Sequence, residues 1–166
     1  MRIETLLVLL LGVTVAAVAC KKKEGAAGSG EQAYVEKEVA SLETALAKGD
    51  ESGALLGCVG ANTSLKRMPA PLADKIRRLC YAEAPRLMLS KAVADVKKQQ
   101  AANPDLRDLY CMQLMVSDAF EWMAKQEPVD PQAQELAAEY TRLCPVQAAK
   151  ARDRAETAKA RDQTAP

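Results

Sequence analysis

The residues best able to do chemistry in this 166-residue chain are its five cysteines, Cys20, Cys58, Cys80, Cys111 and Cys144. Their spacings are wide and include no Cys-x-x-Cys pair, so the pattern is not typical of a zinc site or of a thioredoxin-like dithiol. The chain also has no histidine, so it lacks the commonest general base and the commonest neutral metal ligand. Disulfide formation is the chemistry that best fits these cysteines, and it depends on the compartment in which the chain works.

The beginning of the chain indicates that compartment. Met1 and Arg2 precede an apolar run over residues 6–19, which is shorter than the roughly 20 residues that span a bilayer as a helix. A short first region, an apolar run and small residues before a cleavage point are typical of a secretory signal peptide. We therefore predict that residues 1–19 are a signal peptide.

The end of this run, Ala17-Val18-Ala19-Cys20, resembles the lipobox of bacterial lipoproteins. The resemblance covers the export signal and carries over one residue, Cys20. It implies that the Cys20 thiol receives a diacylglyceryl group, that the preceding peptide is removed, and that the new amino group is acylated, for example with palmitate. The alternative is an uncleaved anchor with the chain in the cytoplasm, because lysines at 21–23 follow the run and positive charge prefers the cytoplasmic side.

The rest of the chain divides by composition. Residues 20–30 would form the lipidated cysteine and a flexible tether rich in Gly and Ala. We predict a helical bundle domain over 31–145 and a charged, Ala-rich helix or tail over 146–166. Lys21 is not the Asp that retains some lipoproteins in the inner membrane. The resemblance therefore favours an outer-membrane location facing the periplasm.

Apolar residues recur at three- and four-residue intervals, and no segment alternates with period two, so the predicted fold is an all-α bundle of four to five antiparallel helices without a sheet. Prolines and capping residues predict helices over about 31–48, 51–61, 71–102, 104–127 and 131–144. The second contains glycines and is expected to be irregular. Pro85 should kink or break the third helix. The fourth is the most apolar and should lie at the centre.

If Cys20 carries a lipid, the other four cysteines are predicted to form two disulfides. Antiparallel helices rise 1.5 Å per residue, so Cys111 and Cys144 lie within roughly 5 Å of the same level about the turn near 128–130. Cys80 and Cys111 differ by roughly 22 Å about the turn near 103, whereas a disulfide needs Cα atoms within about 7 Å. We therefore predict Cys58–Cys80 and Cys111–Cys144.

Charge is distributed in blocks. Residues 66–98 contain nine basic and three acidic residues, whereas 31–51 and 104–139 are acidic. In one interpretation, opposite charges face each other between packed helices. In the other, a basic patch contacts anionic lipid or another envelope polymer. The residues of that patch are Lys66, Arg67, Lys75, Arg77, Arg78 and Arg86.

The functional prediction is a lipid-anchored, non-enzymatic binding or scaffold module, with an envelope protein as partner and no cofactor, metal or nucleic acid. Carboxylate pairs at helical spacing, such as Asp105 with Asp108 and Glu135 with Glu139, also occur on ordinary solvated faces, and no catalytic motif accompanies them. The alternative is a carrier of an apolar ligand or lipid between the helices. Its candidate lining is Leu114, Met115, Trp122 and Met123.

Overall fold

The computed structural model describes residues 28–106, 109, 111 and 114–164, and these contain helices and turns but no strand. The predicted all-α fold is therefore confirmed. The predictions for residues 1–27, including the signal peptide and Cys20, lie outside the described residues. The described α-helices are α1 (Ser29–Lys48), α2 (Glu51–Asn62), α3 (Ala70–Arg78), α4 (Ala84–Ala102), α5 (Leu114–Ala124), α6 (Pro131–Leu143) and α7 (Pro145–Thr164). None of them is both long and apolar enough to cross a membrane.

Helices α1 and α2 form an antiparallel hairpin. Gly49 ends α1 in the left-handed conformation (φ 66°), and the Asp50 side chain caps α2 by accepting a hydrogen bond from the Gly53 N–H. A Cβ atom added to Gly57 would lie 2.9 Å from Cβ of Leu42, so the helices approach through this glycine. The prediction of an irregular second helix was wrong, because the glycines of α2 serve close packing within a regular helix.

The predicted third helix begins at α3 and continues into α4 through a π-helical turn over Leu79–Glu83. Pro85 lies two residues after this turn, is buried and has no backbone N–H to donate. We attribute the π turn to this missing donor, because the wider turn lets the helix continue past the proline. In the described bundle α4 contacts α2, α5 and α6. Helix α4 therefore lies among three other helices, and α5, which belongs to the fourth predicted helix, packs against α4, α7 and the π turn.

The predicted helix over 104–127 is interrupted. Pro104–Leu106 form a 3₁₀ turn, Cys111 lies in a turn, and α5 begins only at Leu114. Leu109, within the same predicted helix, is 60% exposed. A physical reason is visible at Cys111, whose carbonyl oxygen accepts a 2.7 Å hydrogen bond from the buried Tyr140 hydroxyl.

Both predicted disulfides are present, with Cα separations of 5.4 Å for Cys58–Cys80 and 5.5 Å for Cys111–Cys144. All four cysteines are buried. The first disulfide joins α2 to the π turn. The second joins the turn before α5 to the residue that separates α6 from α7. The second pairing is correct although the continuous helix assumed in deriving it is broken.

The C-terminal segment, predicted as a charged helix or tail, forms α7 and packs along α5 and α6. Ala148, Ala151 and Ala155 lie on one face of α7 and are buried. Their small side chains allow α7 to approach α5 without large apolar residues of its own. The packed bundle thus extends beyond residue 145.

Candidate binding groove

A surface groove of about 500 Å³ lies at one end of the bundle, where residues from α2, the π turn, α5 and α7 come together. We call it the Tyr81 groove. Its lining combines aromatic, aliphatic, amide, hydroxyl and charged side chains, which are Val59, Asn62, Thr63, Leu65, Lys66, Tyr81, Trp122, Lys125 and Asp162. Such a mixture can hold a ligand with both an apolar and a polar part.

The aromatic wall comes from two elements. Trp122 is almost fully buried near the end of α5, and Tyr81 is half-buried in the π turn. The Tyr81 hydroxyl donates a 3.2 Å hydrogen bond to Oδ1 of Asn62 at the end of α2. Burial raises the pKa of Tyr81, although the nearby positive charges of Lys125 and Arg77 act to lower it. The Tyr81 hydroxyl is therefore a neutral group at ordinary pH.

The charged wall is built around Lys125. Its Nζ lies 3.0 Å from Oε1 of Glu121 and 3.3 Å from Oδ2 of Asp162. Burial alone would lower the pKa of Lys125, but hydrogen bonds and negative charge from these two carboxylates outweigh it and leave the pKa raised. Lys125 therefore remains a cation that ties α5 to the end of α7. Lys66 is exposed and has no ion-pair partner among the described residues.

Lys66 is the one member of the predicted basic patch that lines this groove. The other five contact carboxylates, in the pairs Arg67–Glu31 (2.5 Å), Lys75–Glu43 (2.8 Å), Arg77–Asp74 (2.6 Å), Arg78–Glu83 (2.8 Å) and Arg86–Asp130 (3.6 Å). Glu31 and Glu43 belong to α1, so part of the basic block faces the acidic first helix. Two of the five pairs, Arg67–Glu31 and Lys75–Glu43, are of the kind expected if opposite charges meet between packed helices.

Two of the four residues predicted for an apolar carrier site line different grooves in the described part of the chain. Trp122 lines the Tyr81 groove, whereas Met123 lines a separate groove of about 290 Å³ between α5, α6 and α7. Consecutive residues of a helix project about 100° apart, so the two side chains face different neighbours. Met115 is partly buried in the core, and the side chain of Leu114 lies outside the described residues.

The predicted carboxylate pairs are ordinary surface groups where they are described. A hydrogen bond from Lys97 lowers the pKa of Glu139, so this carboxylate stays ionised at neutral pH. Glu135 and Asp105 are exposed, and Asp108 lies outside the described residues. In the described part of the chain, no cluster of three or more acidic or cysteine side chains is arranged to hold a metal ion.

Sequence reasoning missed Tyr81, Lys125 and Asp162 as groove residues. One signal for Tyr81 was available, because Tyr81 lies four residues before Pro85 and its carbonyl would lose its helical donor. Disruption of the helix at that point changes the direction in which nearby side chains project. In addition, π turns are frequent at functional sites. The positions of Lys125 and Asp162 depend on how α5 and α7 pack, which no local pattern encodes.

No known protein family, curated protein or solved structure matches the chain.

Proposed function

We propose that the chain is a lipid-anchored cell-envelope protein that faces the periplasm and acts as a non-enzymatic binding or scaffold module. The observation that carries this proposal is that every cysteine of the bundle is used in a buried disulfide. Structural disulfides persist in oxidising compartments such as the periplasm. Cys20 is then the odd cysteine, and its lipobox-like setting gives it a separate role as the lipid attachment site.

The Tyr81 groove is the candidate binding surface of this module. Its ionisable groups are suited to binding more than to proton transfer, because Lys125 is held as a cation by two carboxylates and Tyr81 is held neutral by burial. Anchoring through Cys20 would hold the groove at a membrane, with the outer membrane favoured. We also propose that the module binds an envelope protein.

Acyl labelling in cells tests the anchor. With an alkyne-bearing palmitate, we expect labelled protein in the membrane fraction and no label in Cys20→Ser. A matched control removes the first disulfide as a pair, Cys58→Ala with Cys80→Ala, and should keep the label. Label that persists in Cys20→Ser would contradict the anchor.

Crosslinking in intact cells tests the binding role separately. We expect a recurrent envelope protein to be recovered with the wild-type chain and lost with Cys20→Ser, because anchoring raises the local concentration of the module near its partner. If acylated protein crosslinks to no envelope protein, the anchor stands and the protein-binding role fails.

A further inference from the structure

Helix α1 begins beside the Tyr81 groove. Glu31, in the first turn of α1, accepts a 2.6 Å hydrogen bond from the Ser64 hydroxyl and pairs with Arg67. Ser64 and Arg67 directly flank Leu65 and Lys66, which line the groove. The point where the N-terminal segment enters the bundle is thus at the groove end.

The length of that segment limits how far the groove can be from an anchor. Gly28 lies eight residues after Cys20, and eight residues span at most roughly 28 Å. A lipid on Cys20 would therefore hold this end of the bundle near the membrane surface, whereas the far end of α4 could lie well away from it.

The chemistry of the groove fits a membrane surface. Its lining contains two lysines and one aspartate, and that aspartate is already engaged by Lys125. Lys66 is left as an exposed cation, and anionic phosphate is the lipid group that attracts such a side chain. Tyr81 and Trp122 each combine an apolar ring with a polar tip, as aromatic residues at membrane interfaces do.

We propose that the Tyr81 groove binds the phosphate of a phospholipid headgroup in the membrane that holds Cys20, with Lys66 as the phosphate contact and Trp122 and Tyr81 beside the glycerol region. This names the ligand of the groove and rests on the proposed function, because the anchor brings the groove to the lipid.

Trp122 is the only tryptophan in the chain, so its fluorescence reports on this groove alone. The acylated full chain is placed in phosphatidylglycerol–phosphatidylcholine vesicles that carry a headgroup-attached nitroxide quencher. We expect Trp122 to be quenched. In Lys66→Gln the ratio of docked to undocked bundle should fall about fivefold, since one lysine near an anionic surface contributes about 1 kcal/mol.

Lys98→Gln is the matched control. Lys98 is also exposed and has no ion-pair partner among the described residues, but it lies roughly 25 Å from Tyr81 along the helix. The quenching of Trp122 in Lys98→Gln should equal that in the wild-type protein.

The intact mass of the protein shows whether Cys20 is acylated, and it therefore distinguishes failure of the headgroup site from failure of the anchor. If Cys20 is acylated but Trp122 is unquenched, or Lys66→Gln behaves like Lys98→Gln, the headgroup site is overturned and the anchor stands. If soluble glycerol phosphate binds as tightly as vesicles do, with the same dependence on Lys66, the assignment to a membrane lipid is overturned. If Cys20 carries no acyl group, the proposed function and the headgroup site fall together.

Discussion

Two helix pairs in this bundle pack closely through small residues but are brought together in different ways. Helices α1 and α2 are antiparallel, since Gly57 faces Leu42 while Gly60 faces Glu38. Helices α5 and α7 run parallel: Arg152 of α7 lies over the ring of Phe120, and Asp162, further along α7, contacts Lys125, just past the end of α5. A short turn joins the antiparallel pair, whereas the parallel pair has no such connection.

The disulfides compensate for this difference. Cys111 lies three residues before α5 and Cys144 lies directly before α7, so their bond fixes the starts of the parallel pair side by side. Cys58–Cys80 instead joins α2 to the π turn and leaves the turn at residues 49–50 to hold α1 and α2 together. The Cys111–Cys144 bond thus holds α5 and α7 side by side, as the short turn at residues 49–50 does for α1 and α2.

Removing each disulfide as a pair of Cys→Ala changes should give the largest effects. Loop entropy predicts a loss of about 3–4 kcal/mol in unfolding free energy for either bond. We expect hydrogen exchange to show a local difference. Loss of Cys111–Cys144 should expose amides of α7, whereas loss of Cys58–Cys80 should leave α1 protected. Equal amide hydrogen exchange in α7 for the two variants would contradict the claim that Cys111–Cys144 holds α7 against α5.

Tyr140 supports the turn before the parallel pair, through its bond to the Cys111 carbonyl. Burial raises the pKa of Tyr140 from 10.0 to about 12. Its contribution to stability is therefore complete below pH 10 and is lost as pH rises from 10 to 12, amounting to about 2–3 kcal/mol. Denaturant titrations at several pH values should show this loss in wild type and a smaller one in Tyr140→Phe. Parallel pH curves for the two proteins would contradict this role.

Ala151→Leu tests the alanine face of the parallel pair. Ala151 is buried against the bundle, so the larger side chain should cost about 1–3 kcal/mol by forcing α7 away from α5. Ala149→Leu, at an exposed position of the same helix, should stay within about 0.5 kcal/mol of wild type. Thermal unfolding measures both, and a tolerated leucine at 151 would mean that α7 packs loosely.

Gly57→Ala gives the corresponding test of the antiparallel pair. Alanine favours an isolated helix by about 1 kcal/mol, but its Cβ would meet Cβ of Leu42 at 2.9 Å. We expect overpacking to outweigh propensity and give a net loss of about 1 kcal/mol. Gly30→Ala, with no atom within 4 Å of the added Cβ, should be neutral or slightly stabilising. A stabilised Gly57→Ala would show that α1 and α2 can separate at little cost.

The sequence was sufficient for features controlled by nearby residues. Asp50 and Asp130 cap α2 and α6 at two of the predicted helix starts, because an N-cap needs only its own side chain and the next turn. Pro85 marked the place where the third helix changes. The cysteine pairs were also predicted correctly, because chain length and helical rise exclude a Cys80–Cys111 bond and place the chosen partners near each other.

Features that depend on packing could not be predicted in this way. The alanine face of α7 has no large apolar residue to create a periodic signal, so its burial depends on what α5 presents. The Tyr81 groove requires the π turn, the end of α5 and the end of α7 to meet. Lys66 was predicted as one of six equivalent basic residues, and it is singled out by the ion pairs of the other five, three of which join residues distant in the sequence.

The most direct test of the anchored-module proposal is the intact mass of the protein extracted from membranes without reduction. We predict a chain that begins at Cys20, carries diacylglyceryl and acyl groups there, and lacks two hydrogens for each of the disulfides Cys58–Cys80 and Cys111–Cys144. A chain that begins at Met1 with free thiols would contradict the anchor, the compartment and the groove's membrane role together.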